Sequence, residues 1–454
     1  MRSEPLHEAA KKARDELSSR SECTVSRRTF LSASASASGG LLLSFAWPQP
    51  IGSAFAAETP SAEQFAPNAF IRIDSSGLII LTMPYVEMGQ GTYTAIPMLI
   101  AEELEVDLAQ VSLEHAPPNQ KLYANPLLGV QATGNSSAIR GAWKPLREAG
   151  AAARTMLIAA AANRWHVDPT SCRAERGEVL HPASARRAKY SELAADAARM
   201  PVPEKVALKR PQDFRLIGTP AKRLDTPAKV NGSAVYGIDV RLPGMKVATL
   251  AQSPVFGGRV KSLDATAAKA VKGVRQIVRL DDAVAVVADH MGAAKKGLAA
   301  LKIEWDDGPH ARLANEDIAR ELEQATLGRG AVAQNIGDAG KAIEGAATRV
   351  EAIYQLPFLA HAAMEPMNCT VHFSGDGCEI WIGNQAIARV QAMAAKAAGL
   401  PEKVIVHNHL IGGGFGRRLE ADGAVRAVEI AKQVDGPVKV IWTREEDIVS
   451  PALR

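Results

Sequence analysis

Val404-Ile405-Val406 opens the stretch from Lys403 to Trp442, Gly412-Gly413-Gly414-Phe415-Gly416-Arg417-Arg418 interrupts it, and Val438-Lys439-Val440-Ile441-Trp442 closes it. The two β-branched runs predict strands, the second entered through a turn at Gly436-Pro437. Between them Ala421, Ala424, Val425 and Val428 recur at i, i+3, i+4, i+7, the spacing of one buried helix face. Strand, glycine loop, helix and strand in this order predict a mixed α/β (α+β) fold. Four glycines in five positions allow main-chain N–H groups to approach a ligand closely, and the helix that follows favours an anion beside Arg417 and Arg418. The loop therefore reads as a cradle for a phosphorylated ligand or, alternatively, as a tight turn between packed elements. Phe415 favours the first reading, because a large apolar side chain in such a loop needs a partner, and a flat cofactor supplies one. A dinucleotide fingerprint would need glycine at Arg417, and a P-loop would need Gly-Lys-Ser/Thr where Arg417-Arg418-Leu419 stands.

Working outward, the 454 residues are enough for two or three domains. A net charge of +4 and an aromatic content of 5% argue against nucleic acid as a partner. Cys172, Cys369 and Cys378 follow Cys23 with no C-x-x-C spacing, so no common iron–sulfur pattern is present. Cys369 and Cys378 are able to pair, although buried thiols are the preferred reading.

Two further loops resemble the first in design. Val86-Glu87-Met88-Gly89-Gln90-Gly91-Thr92-Tyr93-Thr94 follows two strands joined at Ser75-Ser76-Gly77, and leads into a helix with Ile96, Leu99, Ile100 and Leu104 on one face. Gln90 offers both a donor and an acceptor. Thr133-Gly134-Asn135-Ser136-Ser137-Ala138-Ile139-Arg140 precedes a long helix and presents hydroxyls and amides to an anion, or caps that helix through Ser136 or Ser137. His361 and Glu365 lie in an apolar run and read as a buried hydrogen-bonded pair in preference to a metal pair.

Gly412 to Arg417, followed by Trp442-Thr443-Arg444-Glu445-Glu446-Asp447, resembles the cofactor loop of the xanthine dehydrogenase family of molybdenum hydroxylases. Within that family the likeness is to molybdopterin-binding beta subunits of the isoquinoline 1-oxidoreductase type and their aldehyde-oxidising relatives. The resemblance implies a multidomain molybdopterin-binding large-subunit architecture with an inserted hammerhead-like domain. It assigns Gly89, Gln90, Gly91, Thr94, Gly134, Ser136, Ser137, Arg140, Gly413, Gly414, Phe415, Gly416 and Arg417 to a molybdopterin dinucleotide, the cytosine form. It gives Gln385, at the end of the predicted strand Ile380-Trp381-Ile382, contact with an oxygen ligand of molybdenum, and implies no protein ligand to the metal. The expected chemistry is hydroxylation of an N-heteroaromatic, isoquinoline-like carbon, or oxidation of an aldehyde, with oxygen from water. Electrons then leave through a small [2Fe-2S] subunit, with a cytochrome c as a further acceptor. The family's general-base glutamate lies in a Gly-x-Gly-Glu segment, and no such tetrapeptide occurs here. A truncated reading frame is the expectation, and a cofactor-binding module without catalysis is the alternative.

The expected organisation begins with a twin-arginine export signal over 1–56. Arg27-Arg28 precedes a weak apolar stretch, too short for a membrane span, and a small-residue cleavage point after Ala56. The periplasm is the implied location. The first part of a molybdopterin-binding domain occupies 57–215, with 165–215 as a surface excursion bearing a helix near Tyr190 to Ala198. The hammerhead-like domain spans 216–310, with a hairpin at Asn231-Gly232 and a strand over Val235 to Val240. An incomplete second molybdopterin-binding domain spans 311–454.

Overall fold

The computed structural model describes residues 31–35, 41–45, 70–73, 78–375, 377–401 and 403–449. Arg27-Arg28, Cys23, the cleavage point after Ala56 and the turn Ser75-Ser76-Gly77 lie outside the described residues. The chain divides into two compact units, one made of 1–82, 97–114 and 143–219, the other of 83–96, 115–142 and 220–454. No helix among the described residues is long and apolar enough to cross a membrane.

In the first unit a five-stranded sheet runs in chain order, β1 (Leu31–Ala35), β2 (Leu41–Phe45), β3 (Ile71–Ile73), β4 (Ile79–Met83) and β5 (Val111–His115). The first two strands fall inside the stretch expected to be an export leader. Helix Ala138–Trp165 buries Leu146, Ala149, Ala153, Met156, Leu157 and Ala160, the face that its spacing predicts. Gly150 on that helix has no room for a side chain, because a Cβ there would lie 2.5 Å from the Ile100 carbonyl oxygen. The close approach brings Glu102 and Glu103 under the segment 207–217. One Glu102 oxygen accepts the N–H groups of Arg215, Leu216 and Ile217, and the other accepts Lys209 Nζ at 2.7 Å. Glu103 pairs with Arg147 at 2.7 Å.

The segment 165–215, expected to be an excursion, holds a three-stranded antiparallel sheet of β6 (Arg173–Glu175), β7 (Glu178–His181) and β8 (Arg186–Lys189). Arg176 and Gly177, at φ +49° and +83°, form the two-residue turn between the first two of these strands. The expected helix is present as Tyr190–Ala197.

The second unit is built on a seven-stranded sheet that also takes in strands from 216–310. Its strands are β9 (Lys246–Gln252), β11 (Val274–Arg279), β12 (Ala283–Ala288), β14 (Asn368–Ser374), β15 (Gly377–Ile382), β16 (Val404–Asn408) and β17 (Val438–Ile441), with β10 (Arg259–Asp264) and β13 (Lys302–Asp306) pairing separately. The order is β11-β12-β9-β17-β14-β15-β16, and the parallel pairs are β15/β16 and β17/β9. All six residues of β12 are buried, which fits its unbroken apolar run. Helix Asp422–Ala431 carries the chain from β16 to β17 and buries Ala424, Ala427, Val428 and Ile430.

Two expected elements differ. Gly232, at φ +79°, ends the short helix Thr226–Asn231, so Asn231-Gly232 is a helix terminus and not a hairpin turn. Residues 237–239 form a 3₁₀ turn in place of a strand, and a Cβ on Gly237 would lie 2.8 Å from Asn368 Oδ1. Cys369 and Cys378 are free buried thiols.

Candidate functional site

The three loops singled out in the sequence meet within the second unit. Val86 N–H donates to Thr133 Oγ1 at 2.9 Å, joining the first loop to the second. Ile411 N–H donates to the Glu87 carbonyl at 3.1 Å, joining the first to the third. Gln385 stands at the junction. Its side-chain amide donates to the Thr133 carbonyl at 2.8 Å and accepts Gly416 N–H at 3.3 Å, while its own main chain bonds Thr133 and Arg418. Gly414 packs so closely that a Cβ would lie 2.5 Å from Gln385 Oε1 and 2.8 Å from Met88 Sδ.

Among the described residues the third loop holds three successive unbonded amides between two that are bonded within the fold. Gly413, Phe415 and Gly416 have φ of +98°, +53° and +100°, backbone angles that glycine adopts freely and phenylalanine rarely. Among the described residues the N–H groups of Gly413, Gly414 and Phe415 find no acceptor, whereas Gly412 N–H donates to Glu365 at 2.8 Å. The Phe415 ring beside them is 57% exposed in a left-handed conformation that a phenylalanine rarely adopts. Asn135 and Ser136 are likewise left-handed, at φ +54° and +49°, and exposed.

The two arginines are occupied within the fold. Arg417 makes two bonds of 2.7 Å to Asp422. Arg418 is buried and donates to the carbonyls of Gly383, Glu365 and Pro366. Burial pushes its guanidinium pKa down, and the nearby Glu365 opposes the shift. Ser137 is buried and accepts from Asn125 at 2.6 Å, while Arg140 is exposed and Gly134 packs beside Leu419.

The first loop is organised by Glu87, a residue absent from the candidates that the sequence suggests. Its buried carboxylate accepts Gly89 N–H at 2.8 Å, Gly91 N–H at 3.1 Å, Tyr93 N–H at 3.0 Å and the Thr92 hydroxyl at 3.2 Å. It therefore takes the anion position at the start of helix Thr92–Leu104. Arg223 donates to the same carboxylate and to the Gly89 carbonyl, both at 2.9 Å, and Leu224 N–H donates to Thr94 Oγ1 at 3.0 Å. Gln90 is exposed and turned back on its own loop, donating to the Val86 carbonyl and accepting Met88 N–H. Glu365 is the counterpart in the third loop, accepting Gly412, Ile238 and Asn368. An acidic residue just ahead of a glycine-rich helix start was the available signal for Glu87.

Behind the first loop Tyr93 and His115 bond at 2.5 Å. Burial pushes the tyrosine pKa far up, so its hydroxyl stays protonated. Burial, reinforced by His409, lowers His115 to about 4. No group of three or more His, Cys, Asp and Glu among the described residues is placed to hold a metal.

Residues 40–242 and 323–454 each match a family model described as a molybdopterin cofactor-binding domain. All three loops, Glu87, Arg223, Glu365 and Gln385 fall inside these matches. The chain is 34% identical over 442 residues to the beta chain of isoquinoline 1-oxidoreductase of Brevundimonas diminuta, covering 87% of this chain and 56% of that one. It is 33% identical over 457 residues to a membrane-bound aldehyde dehydrogenase (pyrroloquinoline-quinone) of Gluconacetobacter polyoxogenes, covering 96% and 58%. A nicotinate dehydrogenase chain of Pseudomonas putida is 26% identical over 415 residues, covering 88% and 34%. The chain thus spans little more than half the length of the first two relatives. It belongs to the molybdopterin cofactor-binding family.

Proposed function

We propose that this member of the molybdopterin cofactor-binding family is the cofactor-binding part of a molybdenum hydroxylase that oxidises an N-heteroaromatic, isoquinoline-like substrate. The observation that carries the reading is the run of unbonded amides at Gly413, Gly414 and Phe415, packed against Gln385 and Met88 at Gly414 and flanked by an exposed aromatic ring. Unbonded amides suit an anionic cofactor group, and the ring suits a flat one. The residues therefore fit a molybdopterin dinucleotide, for which we propose the cytosine form. Bound there, the cofactor would supply a two-electron redox centre for hydroxylation with oxygen from water.

The chain's own part is positioning. Gly413 to Phe415 would hold the anionic group, Phe415 would cover an organic face, and Gln385 keeps the second and third loops in register. Glu87 and Arg223 fix the first loop around Gln90. Ser136 and Arg140, both exposed, are available to the dinucleotide phosphates. Electrons would pass to a small [2Fe-2S] subunit and then to a cytochrome c. The segment around Arg27-Arg28 would direct export to the periplasm by the twin-arginine route.

Aldehyde oxidation is the second reading, favoured by the 33% identity to a relative named as an aldehyde dehydrogenase. The test is metal and pterin analysis of the purified native complex, with turnover of isoquinoline, nicotinate and benzaldehyde compared under an artificial electron acceptor. Molybdenum and a cytosine nucleotide with isoquinoline preferred is the expected result. An active preparation free of molybdenum overturns the proposal. Replacing Arg27-Arg28 by lysines should keep the protein out of the periplasmic fraction.

A further inference from the structure

Strand β15 ends at Ile382, and the turn that follows it, 383–385, presents Gln385 to the second and third loops. One residue grips that turn from both ends. The Arg418 guanidinium donates to the Gly383 carbonyl at 3.2 Å, and the Arg418 carbonyl accepts Gln385 N–H at 2.7 Å. The same guanidinium donates to the carbonyls of Glu365 and Pro366, at 2.8 and 3.2 Å. Glu365 in turn holds Gly412 N–H, the first amide of the third loop, at 2.8 Å. Arg418 thus joins the Gln385 turn, the Glu365 segment and its own loop, all within the second unit.

A buried cation is a costly way to fasten a turn. Arg418 is 1% exposed, its ion pair with Glu365 is long at 3.5 Å, and the Glu365 carboxylate already accepts Gly412, Ile238 and Asn368. A guanidinium whose close bonds go to neutral carbonyls keeps a desolvation cost that an apolar side chain would not carry. What it adds is direction, because its rigid planar fork reaches three carbonyls at fixed angles, which the single ammonium of lysine does not reproduce. The Gln385 amide needs such direction. Its Nε2 donates to the Thr133 carbonyl at 2.8 Å, but the bond that its Oε1 accepts from Gly416 N–H is long at 3.3 Å, so a small rotation of the turn breaks it. We infer that Arg418 is a positioning residue for Gln385, holding the 383–385 turn so that the Gln385 amide closes the third loop through Gly416. That the amide so placed serves a cofactor rests on the function proposed above, whereas its placement by Arg418 does not.

The experiment is a double-substitution cycle on the 454-residue chain, read as hydrogen exchange at the Gly416 amide, with any change shared by the buried strand β12 divided out. Gln385→Ala removes the acceptor and should speed Gly416 exchange about tenfold or more. Arg418→Met, which keeps the stem and removes the fork, should speed it to a similar extent, and the double variant should add nothing to Gln385→Ala. Arg418→Lys should fall between parent and Arg418→Met, and it completes the cycle if the methionine variant does not fold. Additive effects overturn the proposal, as does unchanged Gly416 exchange in Gln385→Ala or in the Arg418 variants. An arginine that only stabilises the fold predicts the second of these, because its loss would loosen β12 and Gly416 alike. A native complex without molybdenum would refute the proposed function and leave the exchange cycle standing.

Discussion

Replacing Glu87 by alanine removes, in one step, the acceptor of three backbone N–H groups and the Thr92 hydroxyl. The losses are unequal. Gly89 is exposed and Gly91 partly so, and water can replace the carboxylate there. The Thr92 hydroxyl keeps the Val86 carbonyl at 3.1 Å, whereas the buried Tyr93 N–H stays unpaired. Each buried donor left unmet costs about 1–3 kcal/mol. Arg223 keeps Asp225, at 2.7 Å, and is over a third exposed, so losing its second partner adds little. The sum is therefore about 1–3 kcal/mol, set by the one buried donor left unmet. Glu87→Gln retains one acceptor but turns an NH₂ toward Tyr93 N–H or toward the glycine amides, so roughly half the effect is expected. The assay is hydrogen exchange at 88–94 together with thermal unfolding. Exchange there should accelerate steeply in Glu87→Ala and less in Glu87→Gln, with cofactor content falling in parallel. If Glu87→Gln exchanges and melts like the parent, the carboxylate does not organise the loop and the reasoning fails.

Gly414→Ala forces a Cβ to within 2.5 Å of Gln385 Oε1, which must give up Gly416 or Thr133, so molybdenum content should fall by about tenfold or more with a modest loss of melting temperature. Phe415→Gly removes a strained left-handed residue worth about 1–2 kcal/mol, partly offset by greater freedom of the unfolded chain. The cofactor-free protein should therefore keep its stability while cofactor retention drops, and a large loss of stability without cofactor would refute that. His115 has a folded pKa of about 4 against an ordinary 6.5, so the unfolded chain takes up its proton first as pH falls. Stability is unaffected by this group above 6.5 and declines from there toward 4, by up to ~3 kcal/mol. Urea unfolding across that window should show the slope, and His115→Gln should flatten it. Glu102→Ala should release the segment 207–217, seen as faster proteolysis there, since four donors lose their acceptor.

The stretch from Val404 to Trp442 was legible because each of its signals is local: β-branched runs, glycines and one helical face. Helices Thr92–Leu104 and Ala138–Trp165 were legible for the same reason, through their periodic buried faces. What escaped depends on contacts distant in sequence. The strands from 216–310 join those from 368–441 in one sheet, and nothing in the period of either region specifies the partner. The Arg176-Gly177 turn lacks the asparagine or aspartate that usually marks such a hairpin. Asn231-Gly232 has that marker but sits at a helix end, where the same left-handed glycine serves another geometry.

The arginines and the carboxylates show why a charge near a glycine loop does not by itself identify a ligand contact. Arg417 and Arg418 promised an anion, yet one is held by Asp422 and the other by three carbonyls. Glu87 and Glu365 fill the nearest backbone donors of the first and third loops with the protein's own negative charge. A glycine loop must keep its shape when empty, and an internal carboxylate bonded to its first amides does that without an external ion. The amides that remain are then the informative ones. In the third loop they are Gly413, Gly414 and Phe415, past the reach of Glu365 and before Gly416 turns back to Gln385. A ligand that used Gly412 would have to displace a carboxylate, whereas one that used the next three amides displaces only solvent. In the proposed reading an anionic group would therefore meet the loop beyond the amide that the internal carboxylate holds.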